Sequence, residues 1–378
     1  MSPITRWGMW LGLVLQACAP TYRPAIPAPA ASAPAGAVDV TLFLIGDAGA
    51  PAAAPSGEPV LTALRSQVAL APSPAVVFLG DNIYPGGMPE SSSGDRREAE
   101  RRLTEQLRVI QLTGARGFFV AGNHDWSGGS SGGRAAVLRA EAFITAANAQ
   151  AAMLPGGGCP GPAIVDIGTS VRLIAIDSQW WLQRNDPSAA CPAESPDDVV
   201  AALQKAGQNA SGRVVIVVAH HPLRSGGPHG GHFGWQAHLF PLRAWKSWAW
   251  LPLPVIGSIY PVARMNGISS QDASSGAYHR MVAALDTALL QMRALVYAAG
   301  HDHALQVIGG TNARFLLVSG AGIYGHRARV VALDSTRYAR PASGFMRLDV
   351  LRDRRVRLGV MVVDEAGRGT EEFSLWLQ

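Results

Sequence analysis

The chain has 378 residues, a formal net charge of +5, 48% hydrophobic and 16% charged residues. That length supports one large α/β domain with a sizeable core. The basic residues are almost all arginine, and no basic run is interleaved with aromatics, so nucleic acid is not the implied partner.

The N-terminus reads as a targeting segment. Arg6 supplies a positive start, and Trp7–Leu15 is an apolar stretch too short to span a bilayer. Leu15-Gln16-Ala17-Cys18 resembles the bacterial lipoprotein box, although Gln16 is unusual there and a plain secretory signal is the alternative. The expected organisation is a signal segment over 1–18 with Cys18 lipidated, a Pro/Ala-rich tether over 19–37, and one domain over 38–378. The corresponding location is an exported, membrane-anchored lipoprotein facing the periplasm or cell exterior. With Cys18 used for lipid, Cys159 and Cys191 remain, each in a Pro/Gly-rich loop, and export favours a disulfide between them.

From Val38 the chain alternates apolar runs and helical patterns. Strands are expected at Val40–Ile45, Val76–Leu79 and Gly117–Ala121, and helices at Glu58–Leu70, Arg96–Gln111 and Arg134–Ala151. Ala163–Ile167 and Val171–Ile176 read as an antiparallel pair around Gly168. A helix at Asp198–Ala206 leads to a strand at Val214–Ala219. A stretch over 224–275 follows, with Gly-rich ends and Trp235, Trp245, Trp248, Trp250, Phe233, Phe240 and Tyr260. Two readings of this insertion stand open: cover for the domain's own apolar surface, or a patch that touches lipid. Beyond it come a helix at Tyr278–Met292 and strands at Leu295–Ala299, Ala304–Ile308, Phe315–Ser319, Phe345–Leu351, Arg355–Val363 and Glu372–Leu377.

Five short segments carry the chemistry: Gly46-Asp47-Ala48-Gly49, Gly80-Asp81-Asn82-Ile83-Tyr84, Gly122-Asn123-His124-Asp125, His220-His221-Pro222 and Gly300-His301-Asp302-His303. Each follows an apolar run. Side chains placed just after parallel strands gather at one sheet edge, where α/β proteins bind ligands. Asp, Asn, His and Tyr are hard and borderline donors, suited to Fe, Zn or Mn.

In their order these motifs resemble the calcineurin-like metallophosphoesterases, and within them the purple acid phosphatases of the tartrate-resistant type, over about Val38 to Tyr324. The superfamily usually opens with Asp-x-His. Here Gly49 takes the His position, while Tyr84 stands where purple acid phosphatases carry a metal-bound tyrosine. The resemblance implies a four-layer α/β/β/α sandwich with mixed central sheets. It implies a dinuclear centre with Asp47, Asp81, Tyr84 and His303 on a first ion, Fe(III). Asp81, Asn123, His220 and His301 would hold the second, Zn, Fe(II) or Mn(II). Asp81 would bridge. By the same resemblance His124 and His229 face the substrate, His221 and His232 are weaker candidates, and Asp125 orients its neighbours. The implied activity is hydrolysis of a phosphomonoester, a phosphorylated small molecule or lipid, by a metal-bound hydroxide. A phosphodiesterase of the same superfamily and a lipid-anchored binding protein that keeps the fold are the alternatives.

Overall fold

The computed structural model describes residues 30–34, 36–183, 191–193, 195–244, 246 and 248–378. The targeting segment, most of the tether and Trp245 lie outside the described residues. In chain order the elements are β1 (Val38–Ile45), α1 (Pro59–Leu70), β2 (Pro74–Phe78), α2 (Arg96–Thr113), β3 (Arg116–Phe119), α3 (Gly133–Ala147), β4 (Ala151–Met153), β5 (Ala163–Ile167), β6 (Val171–Ala175), α4 (Ser178–Leu182), α5 (Pro196–Gln208), β7 (Val214–Val218), α6 (Trp235–Leu239), α7 (Ile259–Met265), α8 (Gly276–Met292), β8 (Val296–Ala299), β9 (Leu305–Gly309), β10 (Phe315–Ser319), β11 (Thr336–Arg340), β12 (Gly344–Leu351), β13 (Val356–Val363) and β14 (Gly369–Trp376).

The strands form two seven-stranded sheets, ordered β14-β13-β12-β1-β2-β3-β4 and β11-β9-β10-β8-β7-β6-β5. In the first, β1 to β4 run parallel, and β12 joins β1 antiparallel. In the second, β6, β7, β8 and β10 run parallel, with β5 and β9 antiparallel to their neighbours. The side chains of β1 show how the layers stack. Val40, Leu42 and Leu44 share a buried cluster with Leu173, Val218 and Val307 of the other sheet. Phe43 and Ile45, on the opposite face, pack with Leu64, Leu103 and Val137 of α1, α2 and α3. Outside the second sheet, Val217 packs with Leu203 of α5 and Leu285 of α8. The result is the expected α/β/β/α sandwich. A strand covered on both faces has no solvent side, so its apolar residues run on without alternation.

The differences from expectation are local. β4 and β11 were not foreseen; one has three residues, and the other is a polar edge strand with only Tyr338 buried. The expected tether ends early. Ala30 donates its N–H to Ser374 Oγ, and the Arg357 guanidinium bonds the carbonyls of Ala30 and Ala31, so these residues lie against β13 and β14. The insertion contains α6, α7 and a 3-10 turn at Ile256–Ser258. Within it Trp248, Trp250, Leu251, Val255 and Ile256 are exposed.

Cys159 and Cys191 are disulfide-bonded across a separation of 32 residues, with Cα atoms 5.5 Å apart. The bridge ties the loop before β5 to the segment leading into α5. Constraining such a loop contributes about 2–4 kcal/mol. Cys159→Ser/Cys191→Ser is therefore expected to unfold at lower denaturant concentration than the parent. Coincident midpoints would show that the bridge adds no stability.

Candidate metal centre

All five motif segments sit at the carboxyl ends of strands β1, β2, β3, β7 and β8. These ends meet where the two sheets face each other, which is how residues far apart in sequence converge. Asp47, Asp81 and His301 have φ of 58°, 54° and 68°. Non-glycine residues rarely adopt this left-handed region, and such residues cluster at functional sites.

The donors approach one another closely. His220 donates Nδ1–H to the Leu79 carbonyl at 2.8 Å, which leaves Nε2 a bare lone pair. His301 likewise donates Nε2–H to the Gln271 carbonyl at 3.0 Å, leaving Nδ1 bare. These two nitrogens lie 3.2 Å apart, and each lies within 3.1 Å of Asn123 Oδ1. Three lone pairs thus converge with no hydrogen between them. That arrangement is repulsive by itself and fits a cation. Asp81 Oδ1 is 3.5 Å from His220 Nε2. On the neighbouring side, Tyr84 Oη donates to Asp47 Oδ1 at 3.1 Å and is 3.3 Å from His303 Nε2. All seven residues named as candidate ligands therefore line one locus.

Electrostatics agrees with a site built for positive charge. Burial pushes the Asp47 carboxyl up to about 8. For Asp81, burial is the largest effect, but the opposing pull of His220 and then His124 leaves its carboxyl below the usual value. Burial, followed by the charges of Asp47 and Asp81, raises the Tyr84 phenol well above its ordinary range. Burial lowers His303 to about 4. Two carboxyl groups buried this deeply are costly to ionise without a compensating charge, and a cation supplies it.

Gly49 explains the unusual opening motif. A Cβ on this residue would lie 2.4 Å from the Asp81 carbonyl oxygen and 2.6 Å from Ile83 N. The Gly49 carbonyl also accepts the Tyr84 N–H at 3.1 Å. The loop carrying Asp81 and Tyr84 is laid directly on Gly49, so a histidine there has no room. The missing imidazole and the added phenol are two sides of one backbone packing.

Several residues hold this frame. The Asp125 carboxylate accepts N–H bonds from Asn82, Ile83 and Gly122 at 2.8–3.1 Å and from Asn82 Nδ2 at 2.9 Å, tying the loops after β2 and β3. His124 donates its backbone N–H to Asp81 Oδ1 and its Nδ1–H to the Pro85 carbonyl. Its Nε2 is left facing the site, 3.9 Å from Asp81 Oδ2. His229 lies over His301 with ring centroids 3.8 Å apart, and its Nδ1 is 3.2 Å from Asp272 Oδ1. His221 is buried beside the donors, but Ser178 Oγ and Gln271 Oε1 each engage one of its ring nitrogens at 2.8 Å, leaving no free donor atom. His232 lines the adjacent cleft.

Sequence reasoning missed Gln271, Asp272, Arg264 and His326. The Gln271 carbonyl sets the tautomer of His301, while Arg264 and Asp272 form an ion pair behind His229. His326 packs on His303, with centroids 4.0 Å apart. The one available signal was for His326, which follows β10 at the same sheet edge as the motifs. Asp302 was in view without a role. Its Oδ1 accepts the His229 N–H at 3.2 Å, fixing the loop that carries His229.

A cleft of about 710 Å³ opens from this centre. His301, His303 and His326 form one end, and Phe233, Trp235 and Tyr260 line the wall supplied by the insertion.

A family model described as calcineurin-like phosphoesterase matches residues 41–252, more than half of the chain. The chain belongs to the calcineurin-like phosphoesterases. It is thus a hydrolase by family, and the family implies divalent metal ions that the donor set above would accept. No curated protein sequence matches this calcineurin-like phosphoesterase. Among solved structures, it resembles GAP50, the anchor in the inner membrane complex of Plasmodium, at 14% identity and a TM-score of 0.57, covering 90% of this chain and 89% of that one. It also resembles purple acid phosphatase PPD1 from yellow lupin (Lupinus luteus) seeds at 15% identity and a TM-score of 0.56. That match covers 93% of this chain but 55% of the lupin chain, so the phosphoesterase spans about half of that relative. A third resemblance is to PhoD, at 12% identity and a TM-score of 0.53, covering 92% of this chain and 70% of that one. At these identities the likeness is one of fold.

Proposed function

We propose that this phosphoesterase is a phosphomonoesterase with a dinuclear centre of the purple acid phosphatase type. The observation that carries the reading is the Tyr84 hydroxyl, within 3.1 Å of Asp47 Oδ1 and 3.3 Å of His303 Nε2, on a loop that Gly49 alone permits. Asp47, Asp81, Tyr84 and His303 would hold a first ion, Fe(III). Asp81, Asn123, His220 and His301 would hold a second, Zn, Fe(II) or Mn(II). When bound, such ions lower the pKa of water and polarise phosphoryl oxygens. Phenolate and carboxylate donors favour the trivalent ion, and imidazole and amide donors suit the divalent one.

The chain's own residues complete the chemistry. His124, pinned through Nδ1 to the Pro85 carbonyl, presents Nε2 to hand a proton to the departing oxygen. His229, held by Asp272 and Asp302, lies at the mouth of the cleft beside His301, positioned to bind phosphoryl oxygens. The cleft is of the size that encloses a whole organic ligand, and its aromatic wall favours a bulky, partly apolar ester, a phosphorylated small molecule or a lipid. Export and lipidation at Cys18 belong to the same proposal, and the Cys159–Cys191 bridge supports the oxidising compartment.

The test is a hydrolysis panel with metal analysis of the same sample. It would hold a simple aryl phosphate, its diester, nucleotides and a phospholipid. The expected result is two ions per chain and hydrolysis of the monoester well above the diester. Preference for the diester would move the chain to the phosphodiesterase alternative. No hydrolysis with both ions present would favour a binding role.

A further inference from the structure

The insertion has an outer side that the centre does not use. Sixteen large apolar side chains are exposed among the described residues, and ten of them fall between Trp235 and Ile268. Trp248 is 76% exposed, Val255 87% and Ile268 74%. This concentration does not come from a loose segment. Leu253 donates its N–H to the Leu239 carbonyl, and Gly257 donates to that of Leu253, both at 2.7 Å. His238 Nδ1 meets Ser258 Oγ at 3.1 Å, and the Arg243 guanidinium lies 3.6 Å over the Trp250 ring. Val255 has φ 69° and ψ −61°, and Ile256 N bonds the Pro254 carbonyl at 2.8 Å. That is a strained γ-turn, and its apex carries two apolar side chains into solvent.

The charge of the region is one-sided. Between Asp198 and Asp272 the chain has no acidic residue. Arg264 is neutralised by its ion pair with Asp272, which leaves Lys246 and Arg243, the latter lying over the exposed Trp250 ring, as the cations of the insertion's outer part. An apolar surface with tryptophans, cationic side chains and no carboxylate is matched to one kind of surface. Tryptophan favours the interfacial region of a bilayer, and each basic residue near an anionic leaflet adds an attraction that salt screens. A protein partner would need its own uniform negative charge around an apolar patch.

We infer that the outer side of the insertion docks on an anionic lipid bilayer. This goes beyond the catalytic reading and does not depend on it. It adds a second membrane contact, separate from any acyl chain at Cys18. The exposed residues lie on the same segment whose inner side walls the cleft, so docking holds the cleft close to the lipid surface.

The experiment uses the full-length Cys18→Ser chain, which has no acyl chains, with vesicles of phosphatidylcholine alone or mixed equally with phosphatidylglycerol. Amide hydrogen exchange over residues 248–268 is followed together with co-sedimentation. On mixed vesicles, exchange in this segment should slow roughly tenfold or more, and added salt should weaken the effect. Trp248→Ser/Val255→Ser/Ile256→Ser on the same background should lose that protection while hydrolysing a small aryl phosphate unchanged, since none of the three lines the cleft. The proposal is overturned if exchange over 248–268 is unaltered on vesicles that retain the chain. It is equally overturned if the parent ignores anionic vesicles, or if the protection follows formation of a dimer that the triple variant abolishes.

Discussion

His124→Ala should lower kcat by about 10²–10⁴-fold, the usual contribution of a positioned proton donor, while both ions stay bound. The expectation follows from the geometry of the ring. Nδ1 is committed to the Pro85 carbonyl at 2.6 Å, and Nε2 is 3.9 Å from the nearest Asp81 oxygen. The imidazole therefore faces the centre without belonging to the converging donors. The backbone N–H of residue 124 still bonds Asp81 Oδ1 in the variant, because that contact at 2.9 Å needs no side chain. KM should change less than kcat, and an ester with a good leaving group, which needs little protonation, should be spared. Metal analysis decides the assignment. Loss of an ion from the purified variant would make His124 a ligand and overturn its role as acid.

Tyr84→Phe should remove a visible absorption band from the iron-loaded protein. A phenolate on Fe(III) gives a ligand-to-metal charge-transfer band, so the parent is expected to be pink or purple. The phenol is held far above its ordinary range by burial and the neighbouring carboxylates, so it ionises only against a strongly charged cation. Phenylalanine keeps the ring contact with His124, whose centroid lies 4.5 Å away, and deletes only the oxygen. Asp47, Asp81 and His303 remain, so part of the hydrolysis should persist while the colour is lost. A colourless parent with iron verified in the first position would refute the tyrosinate assignment and leave the phosphoesterase intact.

What could be read from the residues depended on how local the determinant was. The β1 run was legible because a strand buried on both faces is apolar at nearly every position, with Thr41 the one polar residue of Val40–Ile45, and the motifs were legible because each follows such a strand. Pro74 and Pro196 show why element ends were less secure: each begins its element but reads as loop. β11 was hidden because only Tyr338 among its five residues is buried. Gln271 was beyond reach for another reason. It acts on His301 through its backbone carbonyl, which any residue possesses, so no residue type signals the role. Arg264 and Asp272 form an ordinary ion pair whose importance appears only once His229 is seen above it. The resemblance supplied the ligand set and paired the histidine missing at Gly49 with the phenol gained at Tyr84, but only the backbone contact gives the physical reason for the pairing.

The contact beneath Tyr84 has a consequence for how such centres diverge. Because Gly49 is in van der Waals contact with the peptide units of residues 81–83, the choice between imidazole and phenol is made by the course of the main chain. Exchanging one donor for the other is therefore not a walk of two independent point changes. A histidine at this position would require the second loop to be held farther away, because even its Cβ would meet the peptide units of residues 81–83. Redesigning the site toward an imidazole-rich centre must begin by lifting residues 81–84 off the first loop, with the side-chain substitutions following afterwards.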